Sequence, residues 1–128
     1  MKIIPERLAK IPQTIRDFTD VATVWIVGSA ALWLVDEESP PPRDFDVVVP
    51  LVHWPAVSRL IPWKTPANHF GGFKITDENG TEIDVWAQEL LPQLMAPGWQ
   101  GPLVAVEPYY QFIVGLTKGE RDAQKDAG

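Results

Sequence analysis

The chain has no cysteine. Disulfide staples and thiolate metal sites are therefore excluded, and any metal would have to be held by oxygen or imidazole ligands. Nor is there an apolar run of the roughly 20 residues that a membrane-spanning helix needs. The opening residues, MKIIPERLAKIPQ, lack the long apolar stretch and small-residue cleavage site of an export signal. The expectation is a cytoplasmic protein that does not engage a membrane. Basic charge is scarce as well: 11 Lys and Arg stand against 17 Asp and Glu, for a net charge of −6. Such a surface repels phosphate backbones, which argues against broad non-specific nucleic-acid binding, although a bound cation or a local basic patch could still recruit a phosphate. Histidine is limited to His53 and His69, neither at ligand spacing, and both read as structural or exposed.

What is present suits one compact domain. The 128 residues are 45% hydrophobic and include six Trp, enough for a sizeable core. Thirteen Pro and nine Gly imply many turns and short elements. Glu6 to Lys10 and Gln13 to Asp20 read as helical, broken near Pro12, with Ile11, Ile15 and Phe18 on one stripe. Val24 to Val27 reads as a buried strand, Gly28-Ser29 as a turn, and Ala30 to Val35 as a helix with Ser29 as its cap. The prolines at 40–42 make a loop. Phe45 to Val49 is a second strand, Pro55 opens a short helix that ends before Pro62, and Phe73 to Thr76 with Glu82 to Trp86 forms a hairpin around Asn79-Gly80. Leu103 to Val106 reads as a short edge strand, and a helix is expected from Pro108 through Tyr109, Phe112, Ile113 and Leu116, fading into a charged tail. The expected class is α+β, a mixed and mostly antiparallel sheet with helices packed on it.

The chemistry-bearing residues are acidic. Asp44 and Asp46 share one face of a strand, because alternate side chains do. Two carboxylates so placed repel one another unless a cation lies between them. Asp84 lies in a second apolar strand, TEIDVW, and would converge with them if the two strands are neighbours. Three such carboxylates can hold two divalent ions about 4 Å apart, the arrangement used for in-line phosphoryl displacement. Ahead of them, VWIVGSAALWL supplies a strand, a Gly-Ser turn and a helix N-terminus, a setting that favours phosphate. Each piece alone is common. Gly28-Ser29 could be a plain capped turn, Asp44 and Asp46 solvated strand acids beside Arg43, and Asp84 a solvent-facing strand residue. Their order along the chain gives them specificity.

In that order, Gly28-Ser29, Asp44-Phe45-Asp46 and Asp84 resemble the signature of the nucleotidyltransferase superfamily of the DNA polymerase β type, across Val24 to Trp86. Within it the chain is similar to AbiEii-like toxins and kanamycin-nucleotidyltransferase-like domains. The resemblance implies one nucleotidyltransferase-like domain over residues 1–128, with a tail from about residue 118. It implies transfer of a nucleoside monophosphate from an NTP such as ATP to a hydroxyl acceptor on an RNA 3′ end (tRNA, for example), a protein or a small molecule. Asp44, Asp46 and Asp84 would be catalytic and hold two Mg²⁺ or Mn²⁺ ions. Gly28 and Ser29 would bind the triphosphate, with Lys118 and Arg121 as further phosphate contacts. Larger members carry a C-terminal helical domain with no counterpart in these residues, which leaves room for a partner chain or a homodimer. The alternative is a non-catalytic NTP-binding or regulatory module of the same fold that needs a partner chain. A docking surface of exposed tryptophans and prolines ranks below both.

Overall fold

The computed structural model describes residues 2–99, 101 and 112–127. Two short helices, α1 (Pro5–Leu8) and α2 (Gln13–Phe18), precede β1 (Val24–Val27), which runs directly into α3 (Gly28–Val35). After the proline loop come β2 (Asp44–Pro50), a 3₁₀ turn (Leu51–His53) and α4 (Trp54–Ser58). The hairpin of β3 (Phe73–Thr76) and β4 (Glu82–Gln88) follows, then a 3₁₀ turn (Pro92–Leu94), β5 (Ile113–Leu116) and α5 (Lys118–Ala127). The strands form one sheet in the order β3-β4-β2-β1-β5. All pairings are antiparallel except β2 with β4. The molecule is therefore α+β with a mixed, mostly antiparallel sheet, as its residue pattern predicts. Among the described residues no helix is long and apolar enough to cross a membrane.

Alternation divides the sheet into two faces. Val24, Ile26, Phe45, Val47, Val49, Ile75, Ile83, Val85, Val114 and Leu116 pack with residues of α1 to α4 in the main core. Trp25, Val27, Val48, Trp86 and Ile113 point the other way, onto Leu90, Leu94, Met95 and Trp99. The second cover is only partial: at one end of this face the side chains are Asp44, Asp46 and Asp84, all half-buried. β2 tolerates its acids because Val47, Val48 and Val49 are fully buried. Burial of each contributes about 1.5–3 kcal/mol, against roughly 1 kcal/mol or less of like-charge repulsion on a partly solvated strand.

Two local devices hold α3 beneath the sheet. The Arg7 guanidinium lies over the Trp33 ring at 5.3 Å and donates to the carbonyls of Trp33, Asp36 and Glu37, satisfying acceptors at the C-terminal end of α3. Trp33 in turn meets Phe45 edge-on, at 6.1 Å between centroids. Gly115 in β5 leaves room for Trp25: a Cβ there would lie 3.0 Å from that indole and from the Trp99 carbonyl.

The C-terminal part departs from the expectation. Ile113 and Leu116 belong to strand β5, not to a helix, and β5 pairs with β1 from Val24↔Leu116 to Val27↔Ile113. Apolar residues at 112, 113 and 116 fit a helical stripe, but a short apolar run is equally a buried strand. The unpaired edge of β1 decides it by offering Ile113 and Val114 a ladder. The helix comes later, as α5 over the charged stretch from Lys118. Pro108, Tyr109 and the strand expected at Leu103 to Val106 lie outside the described residues.

Candidate metal centre

The site is built on β2 and β4. Their parallel register pairs Asp46 with Asp84 and Asp44 with Glu82. Paired residues share a face, so Asp44, Asp46 and Asp84 all project from the partly open face. One carboxylate oxygen from each lies within 4.8 Å of the others. The convergence expected from sequence is thus present. It depends on β4 adding to β2 in this register, because a slip of one residue would turn Asp84 into the core.

Asp46 carries the strain of the cluster. It occupies the middle of the row, between Asp84 on one side and Val27 on the other. Burial, then the charges of Asp44 and Asp84, push its carboxyl up from 3.8 to about 6. Without a cation, the Asp46 carboxyl keeps its proton up to about pH 6, well above the usual carboxylate range. A hard divalent cation replaces that proton, and a set of three carboxylate oxygens is the donor chemistry such an ion takes.

Gly28 closes the cluster on the β1 side. Its φ of +70° is accessible to glycine and strained for other residues. A Cβ at Gly28 would lie 3.5 Å from Asp46 Oδ2, so the turn brings backbone against the carboxylate. The Gly28 amide donates to the Phe112 carbonyl at 3.1 Å and is therefore already engaged. What Gly28 supplies is the turn itself. Open donors belong to the residues after it: α3 has no side-chain cap, Ser29 is exposed, and first-turn amides have no partner within a helix. The start of α3 thus lies beside the acid cluster, with Gly28 against Asp46.

Lys118 and Arg121 lie on α5, and Arg121 is committed elsewhere. Its guanidinium pairs with Asp20 and Asp122 and donates to the Arg16 carbonyl, fastening α5 to the end of α2. The Asp20 carboxylate, and after it Asp122, holds that guanidinium above the usual arginine range. Lys118 is exposed. Neither is brought to the acid cluster by a contact with it.

Lys74, by contrast, does reach the site's field. Hairpin register places it directly across from Asp84. Its ammonium pairs with Glu82 at 3.2 Å. That hydrogen bond, with Asp84 and Asp44 adding their fields, holds Lys74 above the usual lysine range. Sequence reading missed Lys74, although pairing the predicted hairpin strands around Asn79-Gly80 would have set it opposite Asp84.

A separate open groove of about 1070 Å³ lies between α2 and the β3–β4 turn. It is lined in part by Lys10, Arg16, Asp17, Asp20, Asp77 and Glu78, and by none of the three clustered aspartates. Its three aspartates have local duties: Asp20 holds Arg121, Asp17 accepts from Gln13, and Asp77 accepts from the amides of Asn79 and Thr81. Convergent chemistry lies at the β2–β4 cluster, despite the size of the groove. His53 and His69 are exposed and stand apart from that cluster. Comparison of the chain with protein-family models, curated proteins and solved structures yields no match.

Proposed function

We propose that the protein is a metal-dependent nucleotidyltransferase, moving a nucleoside monophosphate from an NTP to a hydroxyl acceptor and releasing pyrophosphate. The observation that carries this is the meeting of three carboxylates from adjacent parallel strands, within 4.8 Å, beside the uncapped start of a helix. Carboxylates alone repel a triphosphate. An adjacent anion-seeking helix end makes sense of them only if a cation mediates.

In this reading Asp44, Asp46 and Asp84 would hold the divalent ions, Mg²⁺ or Mn²⁺, that accompany the triphosphate. The ions, when bound, supply charge neutralisation at the transferring phosphoryl group. Ser29 and the amides after Gly28 orient the outer phosphates at the start of α3. Asp84, next to the incoming hydroxyl, accepts its proton or directs it to solvent. The work of the chain is positioning and charge balance, which is most of what phosphoryl transfer requires. An NTP substrate also fits a cytoplasmic setting. The second reading, a nucleotide-binding module completed by a partner chain, draws on one observation: Arg121, one of the two phosphate contacts expected from the C-terminal segment, is tied to α2.

Incubation with each α-labelled NTP, Mg²⁺ or Mn²⁺, and total RNA or cell lysate tests the proposal. Label transfer that disappears in Asp44→Asn with Asp46→Asn supports it. Nucleotide binding without transfer favours the module, and absence of both removes the reading.

A further inference from the structure

In-line displacement requires the attacking group to enter opposite the leaving group. If the leaving phosphates lie at the start of α3, on the β1 side, the acceptor approaches from the opposite flank, along β4 and β3. That flank carries its own recognition chemistry. Lys74 stands one strand beyond Asp84 on the same face, a spacing of about 4.8 Å. Its side chain is 46% exposed. Trp86 follows Asp84 by two residues on the same face of β4, about 7 Å along the strand, and the Phe70 ring stacks on it at 4.4 Å and 23°. Trp86 is 4% exposed while Phe70 is 50% exposed, so Phe70 is the outer layer of the stack and half of it meets solvent.

The loop bearing Phe70 is fixed in place. The Asn68 side chain donates to the Phe73 and Val85 carbonyls and accepts from the Phe70 and Gly72 amides. Gly72 lies so close to β4 that a Cβ there would fall 1.9 Å from the Val85 carbonyl oxygen. Beside the ring, the space around Gly71 is open. The inner face of the Phe70 ring covers Trp86, and its outer side is left to solvent on the face of the sheet that also carries Lys74 and Asp84.

We propose that Phe70 and Lys74 form the acceptor subsite, which takes a planar aromatic base carrying a phosphate, that is, a nucleotide unit. This rests on the phosphoryl-transfer reading of the acid cluster for its role as acceptor subsite. Phe70 stacks on the base and Lys74 meets the phosphate, exchanging Glu82 for it. A cationic acceptor would face Lys74, and a protein hydroxyl would leave the Phe70 ring without use.

The test titrates the full chain by calorimetry with adenosine 5′-monophosphate, adenosine and inorganic phosphate, with and without Mg²⁺ plus excess tripolyphosphate to fill the β1 flank. The monophosphate should bind more tightly than either fragment and should not be displaced by tripolyphosphate. Phe70→Leu keeps an apolar cover on Trp86. It should weaken the monophosphate and adenosine by at least about fivefold and leave phosphate unchanged. Lys74→Met should weaken the monophosphate and phosphate by about two- to fivefold and leave adenosine unchanged. Absence of monophosphate binding, displacement by tripolyphosphate, or binding indifferent to both substitutions overturns the subsite. So does binding of a serine-bearing peptide in its place. Mg²⁺ binding is read separately: Asp46→Asn should abolish it, while Phe70→Leu and Lys74→Met preserve it. Loss of the Mg²⁺ response with the substitution pattern intact removes the transferase reading and leaves the nucleotide subsite standing.

Discussion

Asp46 is where fold and site pull in opposite directions. Its carboxyl is raised to about 6 by burial and by its two acidic neighbours, so between its ordinary value and about 6 the folded chain holds a proton that the unfolded chain has released. Its effect on metal-free stability therefore runs downward with pH: the protein is favoured below the unfolded value and loses that margin as pH rises through about 6. Asp46→Asn should accordingly raise the metal-free melting temperature above about pH 7, with the gap to the parent closing below about pH 4. Thermal denaturation in chelator across pH checks this, and a gap independent of pH would count against it. Metal competes with the same proton, so apparent Mg²⁺ affinity should fall as pH drops below about 6. Gly28 presents a different residue-scale constraint. Its left-handed φ makes Gly28→Ala unfavourable by about 1–2 kcal/mol, visible in chemical denaturation. The added methyl would meet Asp46 Oδ2 only at ordinary contact distance, 3.5 Å, so the cost is backbone strain and Mg²⁺ binding should be retained.

The decisive unit among the elements is the hairpin with its preceding loop. β4 must add to β2 in one register for Asp84 to meet Asp46, and β3 must pair with β4 for Lys74 to stand opposite Asp84. Gly72 and Asn68 fix that pairing from the loop side. Gly72→Ala forces a Cβ into the β4 backbone and should lower stability by about 1–3 kcal/mol or more, with loss of Mg²⁺ binding if β4 shifts. Asn68→Ala leaves the Phe70 and Gly72 amides without their acceptor. It should loosen the loop, measurable as faster amide exchange at Phe70 and Gly72, with little change at Asp44.

For the whole molecule, a net charge of −6 with three acids gathered at one end of a sheet predicts stabilisation by divalent cations. Saturating Mg²⁺ should raise the melting temperature, because ligands that bind only the folded state stabilise it by mass action. The shift should vanish in Asp44→Asn with Asp46→Asn. If both proteins shift equally, the ion acts on general surface charge instead. Arg121 belongs to this scale too. It joins the last helix to α2, between residues about a hundred apart in sequence. Arg121→Ala should detach α5 and leave Mg²⁺ binding intact, since its side chain serves the fold.

The residue pattern alone determined most of the elements. Val24 to Val27, the helix that follows it (beginning at Gly28, with Ser29 inside its first turn and not its cap), the valine strand after Asp44, the helix opened by Pro55 and the hairpin around Asn79-Gly80 are all written in short-range terms: alternation, β-branching, turn glycine and proline. The aspartates were legible for the same reason, since a charge inside an apolar strand needs a partner or a purpose. Long-range pairing decided the rest. Nothing local distinguishes Ile113 to Leu116 as a strand from a helical stripe until β1 offers its open edge. Nothing local reveals that Arg121 is held by Asp20, that the Gly28 amide is engaged by Phe112, or that Phe70 caps Trp86. Only the parallel addition of β4 to β2 turned three acids from two strands into one cluster. Backbone pairing across distant segments sets which side chains meet, and that choice depends on the whole sheet.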